Sequence, residues 1–497
     1  MTAGSPVTGC LSFAAGAITL PGIVPETVAQ ITTRLRSDTY MASGASTTDF
    51  FDTALRTPAR KRLASGKLIR VQPKSADDLA NILKDAVSYP SPVRPVGSGS
   101  SVTRSAQTSS GTLVDMTRLD KILAVKGDRV MVQAGVRLRD LAEHLAADNM
   151  ELVGGCQDPD RTVGGAVSSA SLGARMPGDG SQLASSVCQI TLINGEGRRV
   201  EVGENLRDLL TLMRMSYGLL GIIYAVTLRI RPIQCYSIST SKVDFPEFAN
   251  LLPTLMDAEA AVRATLFPFR DSVHVELRYP VDDERHAMML PRKLRDWATH
   301  AVLPKLVRSV NKAISVKQIR GSVIDTVTEA THSLNRFAEA GSNAAEQTGR
   351  FKRLVLDEQP ESCVWFFPVD QFARAVLAFQ RLCELHYKKS GFRCDLPAEA
   401  WRVNCDTQVL LSPSFSGPVF ALNLRSTSQE GWDDFLIEVA ELAARYQGIP
   451  VFNLTKGAQP GYASRVYGDP MRRFREMRQK LDRRNRFFNQ YFAEQGL

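Results

Sequence analysis

Short apolar runs alternate with amphipathic stretches from Leu68 onward. LIRVQP (68–73) reads as a strand closed by proline. SADDLANILKDAV (75–87) reads as a helix, with Ser75 as N-cap, acids in the first turn and apolar residues at helical spacing. PVRPVGSGSSVT (92–103) is a strand running into a Gly-Ser turn, and GTLVD centres another strand on Leu113 and Val114. A strand from Val130 to Ala134 and a helix from about Leu138 to Asp148 follow. VCQITLINGEGRRVEV (187–202) is a hairpin by its Asn-Gly-Glu-Gly turn, and the β-branched GLLGIIYAVTLRIRPI closes the block with a strand near residue 230. This alternation predicts an α/β layer.

Beyond Cys235 the pattern changes. VRATLFPF and SVHVELRYPV alternate as strands, and 292–340 forms a long helical region interrupted by Pro304 and Gly321. A strand (CVWFFPV), a helix (DQFARAVLAFQRLCELHYKKS), strands around VLLS and VFALNLRS, and a helix (GWDDFLIEVAELAARYQ) complete a second, α+β block. Trp365, Phe366 and Phe367 read as core. Two lobes are the natural reading, with no internal repeat.

Composition narrows the class. The 497 residues allow two to four domains, and 44% apolar with 23% charged residues excludes wholesale disorder, collagen and coiled coil. Eight cysteines without a CxxC and six histidines without HxxxH spacing argue against a disulfide framework, a zinc module or a catalytic metal. No uninterrupted apolar run reaches transmembrane length. The mildly apolar stretch Cys10 to Ile23 has no positive residue before it, so residues 1–30 read as an arm lying on the fold rather than a secretory signal. Residues 31–65 read as a loop and short helix leading in. A net charge of +9 suggests an anionic partner of some kind.

The chemistry lies in glycine-rich segments beside strands. Gly97, Ser98, Gly99, Ser100 and Ser101 follow a strand, and glycine there lets successive amides converge on a phosphate. A plain solvent-exposed turn is the alternative for this loop alone. The pattern is neither GxGxxG nor a P-loop. Thr162 to Ser169 with Gly173, and Gly218 to Ile223, are further backbone-approach segments. Three such loops in one lobe suggest a large, phosphate-bearing cofactor.

The order VRPVGSGSS, LVDMTRLDKI, VQAGVRLRDLAEHL, TVGGAVSSASLG, GSQLASSVCQITLINGEG, YGLLGIIYAVTLRI resembles the FAD-binding lobe of the vanillyl-alcohol-oxidase/PCMH flavoproteins across about residues 66–232. VNCDTQVLLSP, VFNLTK and YGDPMRRFREMRQKLDRRNRFFNQYF are similar to the C-terminal half of sugar and aldonolactone oxidases and of decaprenylphosphoryl-ribose oxidase. These motifs do not extend the resemblance to residues 1–60 or 285–350. The resemblance implies a two-lobe α+β fold of the VAO/PCMH type: an arm (1–65), an FAD lobe (66–232), a substrate lobe (233–440) with a helical insertion at about 285–350, and a segment (441–497) returning to the FAD lobe.

It further implies that Gly97 to Ser101 hold the FAD pyrophosphate. Thr162, Gly164, Gly165, Ser168, Ser169 and Gly173 would line flavin and diphosphate, with Ile222 and Ile223 near the ribityl-adenine side. Many relatives carry a covalently bonded histidine where Ser100 stands, so non-covalent FAD is expected. Cys156 lies six residues before Thr162, not two as in doubly linked relatives, and Leu172 stands where a histidine is common. Lys456 matches a lysine placed by flavin and substrate, and a cation there would stabilise the reduced flavin. Asn453 replaces a histidine or tyrosine, and Asn423 either faces the site from its alternating strand or is a solvent-facing polar position at the same period. Glu276 and Arg278 share a strand face, either as a substrate clamp or as a cross-strand ion pair. Ser362 and Arg402 are further substrate candidates.

The implied function is oxidation of a secondary alcohol or lactol hydroxyl in a sugar-like or polyol substrate, with oxygen, a quinone or a carrier as electron acceptor. A hydroxy-acid dehydrogenase of the same fold and a degenerate flavin-binding partner subunit are the alternatives. Arg292, Lys293, Arg295, Lys305, Arg308, Lys312, Lys317 and Arg320, interleaved with apolar residues and Trp297, read either as a solvated helix face or as a peripheral membrane contact through 290–320. The expected location is cytoplasmic, with membrane association on that second reading. No motif supports nucleic-acid binding.

Overall fold

The computed structural model describes residues 67–154, 158–171, 173–281, 298–339 and 360–497. All of them fall in one compact unit, Ala64–Leu497. The arm 1–65, Cys156, Leu172, Arg292, Lys293, Arg295 and Trp297 lie outside the described residues.

Two sheets build the first lobe. β1 (Leu68–Val71), β2 (Val93–Val96) and β3 (Gly111–Asp115) form a parallel sheet in the order β1-β3-β2. The helix Ala76–Lys84 follows β1, its N-cap Ser75 accepting from the Asp78 amide while Leu79, Ile82 and Leu83 are buried. β4 (Ile122–Lys126), β5 (Arg129–Gln133), β6 (Met150–Leu152), β7 (Val187–Ile193), β8 (Arg199–Gly203) and β9 (Ile222–Pro232) form an antiparallel sheet. Its order is β4-β5-β9-β7-β8, with β6 beside the far end of β9. Branched residues in β9 suit this central place, where both faces are covered.

The second lobe is one antiparallel sheet of seven strands: β10 (Cys235–Val243), β11 (Ala261–Phe267), β12 (Ser272–Val281), β13 (Glu361–Pro368), β14 (Ala398–Val403), β15 (Val419–Ser426) and β16 (Ile449–Pro450). They lie in the order β10-β12-β11-β14-β15-β13-β16. One face, including Val262, Val275, Trp365, Phe367, Phe420 and Leu422, packs against the helices Phe245–Asp257, Val369–Ser390 and Trp432–Arg445. Phe372 stacks on Phe420 with ring centroids 4.7 Å apart. Each such side chain taken from water contributes about 1.5–3 kcal/mol. Strand alternation then sends Arg263, Glu276, Arg278, Glu399, Asn423 and Ser362 to the opposite face. Trp365, Phe366 and Phe367 are buried, as their pattern suggested.

Three local expectations need correction, and one strand went unexpected. VLLS is a turn: Ser412 N–H donates to Val409 C=O, Leu410 N–H to Thr211 C=O, and the apolar run buries itself against the first lobe. AEAWRV, rich in poor strand formers, is the strand β14 because it lies fully buried between β11 and β15. Gly321 does not interrupt its helix, Lys317–Glu339; a Cβ there would sit 2.6 Å from Arg393 Nη1, so glycine serves close packing. The break falls at 314–316 instead, and Pro304 occupies the first turn of Leu303–Ala313. Finally, Ile449–Pro450 still pairs with β13 and Tyr462 lies in the second core. Segment 441–497 therefore first completes the second lobe and reaches the first from Phe452 onward, whose C=O accepts from Thr103 Oγ1, and continues there with the helix Asp469–Leu481 and the bond from Val93 N–H to Arg486 C=O.

Candidate functional site

The chain leaves β2 at Val96 and turns through Gly97 to Ser101. Gly99 has φ of 72°, a conformation costly for any side-chain-bearing residue. At Gly97 a Cβ would lie 2.0 Å from Thr162 Oγ1, so this loop and the next glycine-rich segment touch backbone to side chain. Among the described residues, none of the amides from Gly97 to Ser101 donates to a protein acceptor, and Gly99 and Ser100 are exposed. A row of outward amides on a glycine turn is an anion cradle.

Thr162 caps the short helix Val163–Ser168, its hydroxyl accepting from Gly165 N–H at 3.4 Å. Gly164 allows the helix to lie on Ala134, where a Cβ would come within 2.7 Å. Ser169 Oγ donates to Gly165 C=O, and Gly173 takes φ of 142°. The third segment is joined on: Met215 and Tyr217, both at positive φ, donate from their amides to Val167 C=O (3.0 Å) and Ser168 C=O (2.7 Å). Ile222 and Ile223 lie in the ladder with β7, while β5 pairs only from Ala225 onward. Their other backbone edge therefore has no strand beside it.

Two arginines that sequence reasoning missed hold these loops. Arg94 is fully buried and donates to Ser105, Tyr217, Gly218 and Phe487 carbonyls at 2.6–3.3 Å. Burial pushes its guanidinium down to about 9, with Asp482 pulling it back up. Arg161 donates to Gly165 C=O (2.9 Å), Ala170 C=O (2.8 Å) and Ser169 Oγ (2.7 Å). The available signal was a charged residue inside VRPV, an otherwise apolar strand just before the glycine loop.

The segment 451–456 runs along β13 and joins the lobes. Asn453 C=O accepts from Val102 N–H at 3.0 Å and from Ser101 Oγ at 3.2 Å. One residue on, Leu454 C=O accepts from Val364 N–H at 3.1 Å. Lys456 then places Nζ 2.8 Å from Glu361 Oε2. On the polar face nearby, Ser362 Oγ donates to a buried Asn423 Oδ1 at 2.9 Å. Arg263 pairs with Glu399 at 3.0 Å, and Arg425 reaches the same carboxylate at 3.7 Å. Burial lowers the Arg425 guanidinium and Glu399 opposes that shift.

The structure reassigns four candidate residues. Both ends of the Asn453 amide are used by Ala170, so this side chain is a clasp between lobes rather than a substrate contact. Arg402 donates to the Leu255, Met256, Ala258 and Ala260 carbonyls and caps the helix Phe245–Asp257. Glu276 and Arg278 pair with each other at 2.6 Å along one strand. Lys456, Ser362 and Asn423 are brought to one end of the sheet.

Free amides, side-chain-free positions at 97 and 99, and three joined loops fit the diphosphate and extended body of FAD. Fold and site together define a two-lobe FAD-binding protein of the VAO/PCMH type. Residues 68–203 match the FAD binding domain family. Residues 226–495, more than half the chain, match the D-arabinono-1,4-lactone oxidase family, and the chain belongs to that family. L-gulono-1,4-lactone dehydrogenase of Mycobacterium tuberculosis is 28% identical over 217 residues, covering 43% of this chain and 49% of that protein. Mitochondrial L-galactono-1,4-lactone dehydrogenase of Brassica oleracea is 28% identical over 251 residues, 50% of this chain and 40% of that one. The chain thus spans about half the length of the curated relatives it matches, or less. Cholesterol oxidase from Brevibacterium sterolicum shares the fold at a TM-score of 0.67 and 13% identity, over 86% of this chain and 93% of that one.

Proposed function

We propose that the protein is an FAD-dependent oxidoreductase that oxidises a secondary alcohol or lactol hydroxyl of a sugar-like substrate of the aldonolactone class. The observation that carries this reading is the segment 451–456: it backs the diphosphate loop at Asn453 and delivers Lys456 beside the polar sheet face three residues later. When bound, FAD supplies the hydride acceptor. The amides of Gly97 to Ser101 bind its diphosphate, and Ser100, unable to form the bond a histidine makes, leaves it dissociable. Ser362 and Asn423 present a half-buried hydroxyl and a buried amide suited to orienting substrate hydroxyls. Lys456, held by Glu361, offers a cation where negative charge develops. Oxygen, a quinone or a protein carrier takes the electrons.

The test is anaerobic bleaching of the flavin by a panel of aldonolactones, polyols and hydroxy acids. Bleaching by lactones or polyols supports the reading. Hydroxy acids alone doing so would replace the substrate class, and no bleaching at all would leave a binding subunit. Lys456→Met is expected to retain FAD and lose most flavin reduction; unchanged reduction removes Lys456 from the site. Acid should release the flavin into solution.

A further inference from the structure

The helices Leu303–Ala313 and Lys317–Glu339 meet at an elbow that the proposed chemistry does not use. Their inner sides are anchored: Leu303, Val307 and Ile324 pack with Leu396, and Tyr387 Oη donates to Lys317 C=O at 3.3 Å. The outer side of the first helix shows Lys305, Leu306, Ser309, Lys312 and Ala313, spaced as one helical face. The elbow continues with Val316, Lys317, Gln318 and Ile319, all exposed. Leu306, Val316 and Ile319 keep 41%, 55% and 56% of their surface in water. Isolated exposed apolar residues are ordinary, whereas three on one short elbow form a patch.

Charge points to what covers it. No Asp or Glu occurs from Ala298 to Ile324, and Lys305, Lys312 and Lys317 form no ion pair among the described residues. The first acids beyond are engaged: Asp325 with Arg393 and Arg270, Glu329 with Lys242 and Arg270. Apolar tips ringed by unpaired lysines complement a surface that is anionic outside and hydrocarbon beneath. We propose that the elbow 305–319 docks on an anionic lipid bilayer, with Leu306, Val316 and Ile319 entering the interfacial layer and Lys305, Lys312 and Lys317 meeting headgroup phosphates. The contact is peripheral, since no described helix is long and apolar enough to cross a membrane.

The full-length flavin-loaded protein is to be sedimented with vesicles of phosphatidylcholine alone or with about one-third phosphatidylglycerol, at low and high salt. Binding is expected only to the anionic vesicles and should weaken as salt rises. Each lysine near such a surface is worth roughly fivefold in partitioning, so K312Q/K317Q should bind about 25-fold more weakly. V316S/I319S should lose about tenfold or more, with flavin content unchanged in both variants as the check on folding. No sedimentation at low salt, or binding by both variants equal to the parent, overturns the proposal. So does a dimer that forms without vesicles and dissociates in V316S/I319S, since a second copy would then cover the patch.

Discussion

Asn453 offers the sharpest test of how the lobes are joined. Its Nδ2 donates to Ala170 C=O at 3.0 Å and its Oδ1 accepts from Ala170 N–H at 3.2 Å, with only 3% of the residue exposed. Asn453→Ala removes two buried bonds, each worth about 1 kcal/mol, and leaves an amide and a carbonyl unpaired in a dry place at about 1–3 kcal/mol more. Partial relaxation brings the expected loss to about 2–4 kcal/mol. For a unit of this size, with unfolding entropy near 2.1 cal/mol/K per residue, that is roughly 2–4 °C in Tm. Asn453→Asp should cost more at neutral pH, because a carboxylate oxygen replaces the donor facing Ala170 C=O. Part of that extra loss should return in acid, where the protonated carboxyl can donate again. Differential scanning calorimetry of the flavin-loaded and flavin-free proteins reads both effects. A variant that melts with the parent while KM for its substrate rises would refute the clasp and restore Asn453 to the substrate site.

Other expectations follow from the same contacts. Arg94→Met strands four carbonyls and should cost about 3–5 kcal/mol together with most bound flavin, read by chemical denaturation and the flavin-to-protein absorbance ratio. Gly97→Ala drives a Cβ to 2.0 Å from Thr162 Oγ1 and should raise the FAD dissociation constant by tenfold or more with a smaller loss of stability, measured by flavin titration of the apoprotein. Arg402→Met should destabilise by about 2–4 kcal/mol while leaving KM and flavin content unchanged, and a raised KM would return it to the substrate site. Glu204, held below the usual carboxylate range by its hydrogen bond to Arg229 against the cost of burial, stabilises the fold above a pH of about 4.3. That contribution fades as pH falls through the lowered folded value. The pair is half exposed and worth about 0.5 kcal/mol, so Glu204→Gln and parent should differ slightly at pH 7 and converge in strong acid, in melts across that range.

Local signals were legible wherever a residue acts on its neighbours. Ser75 capping its own helix, the turn at 194–197 and the glycine runs at 97–99 and 162–165 all express short-range stereochemistry. Arg94 and Arg161 were not legible as loop holders because most of their partners are backbone carbonyls, which any residue supplies; for Arg94 three of them lie more than 100 positions away. Asn453 and Arg402 show the opposite failure. Resemblance assigns a position, but the bonds its atoms make depend on packing around that position, and here Ala170 and a helix terminus take them. β14 and VLLS were exchanged for a related reason: burial on both faces makes a strand of AEAWRV, while the equally buried VLLS spends its apolar side chains on a turn. At the polar end of the second lobe's sheet, Lys456 was named by resemblance and Asn423 by strand alternation, whereas the Ser362–Asn423 bond and Glu361 as the lysine's partner depend on sheet pairing that the sequence does not show.

The bond from Ser101 Oγ to Asn453 C=O spans 352 positions, and that from Arg94 to Phe487 C=O spans 393. At 5–20 residues per second, the ribosome makes the phosphate loop roughly 20–70 s before its backing. The nascent FAD lobe must wait in that interval with its loops untied, so cofactor capture belongs to the end of synthesis. A stop codon after residue 440, far from the glycine loops, is then a lesion in flavin binding, and pulse-labelled chains halted there should emerge colourless and chaperone-bound.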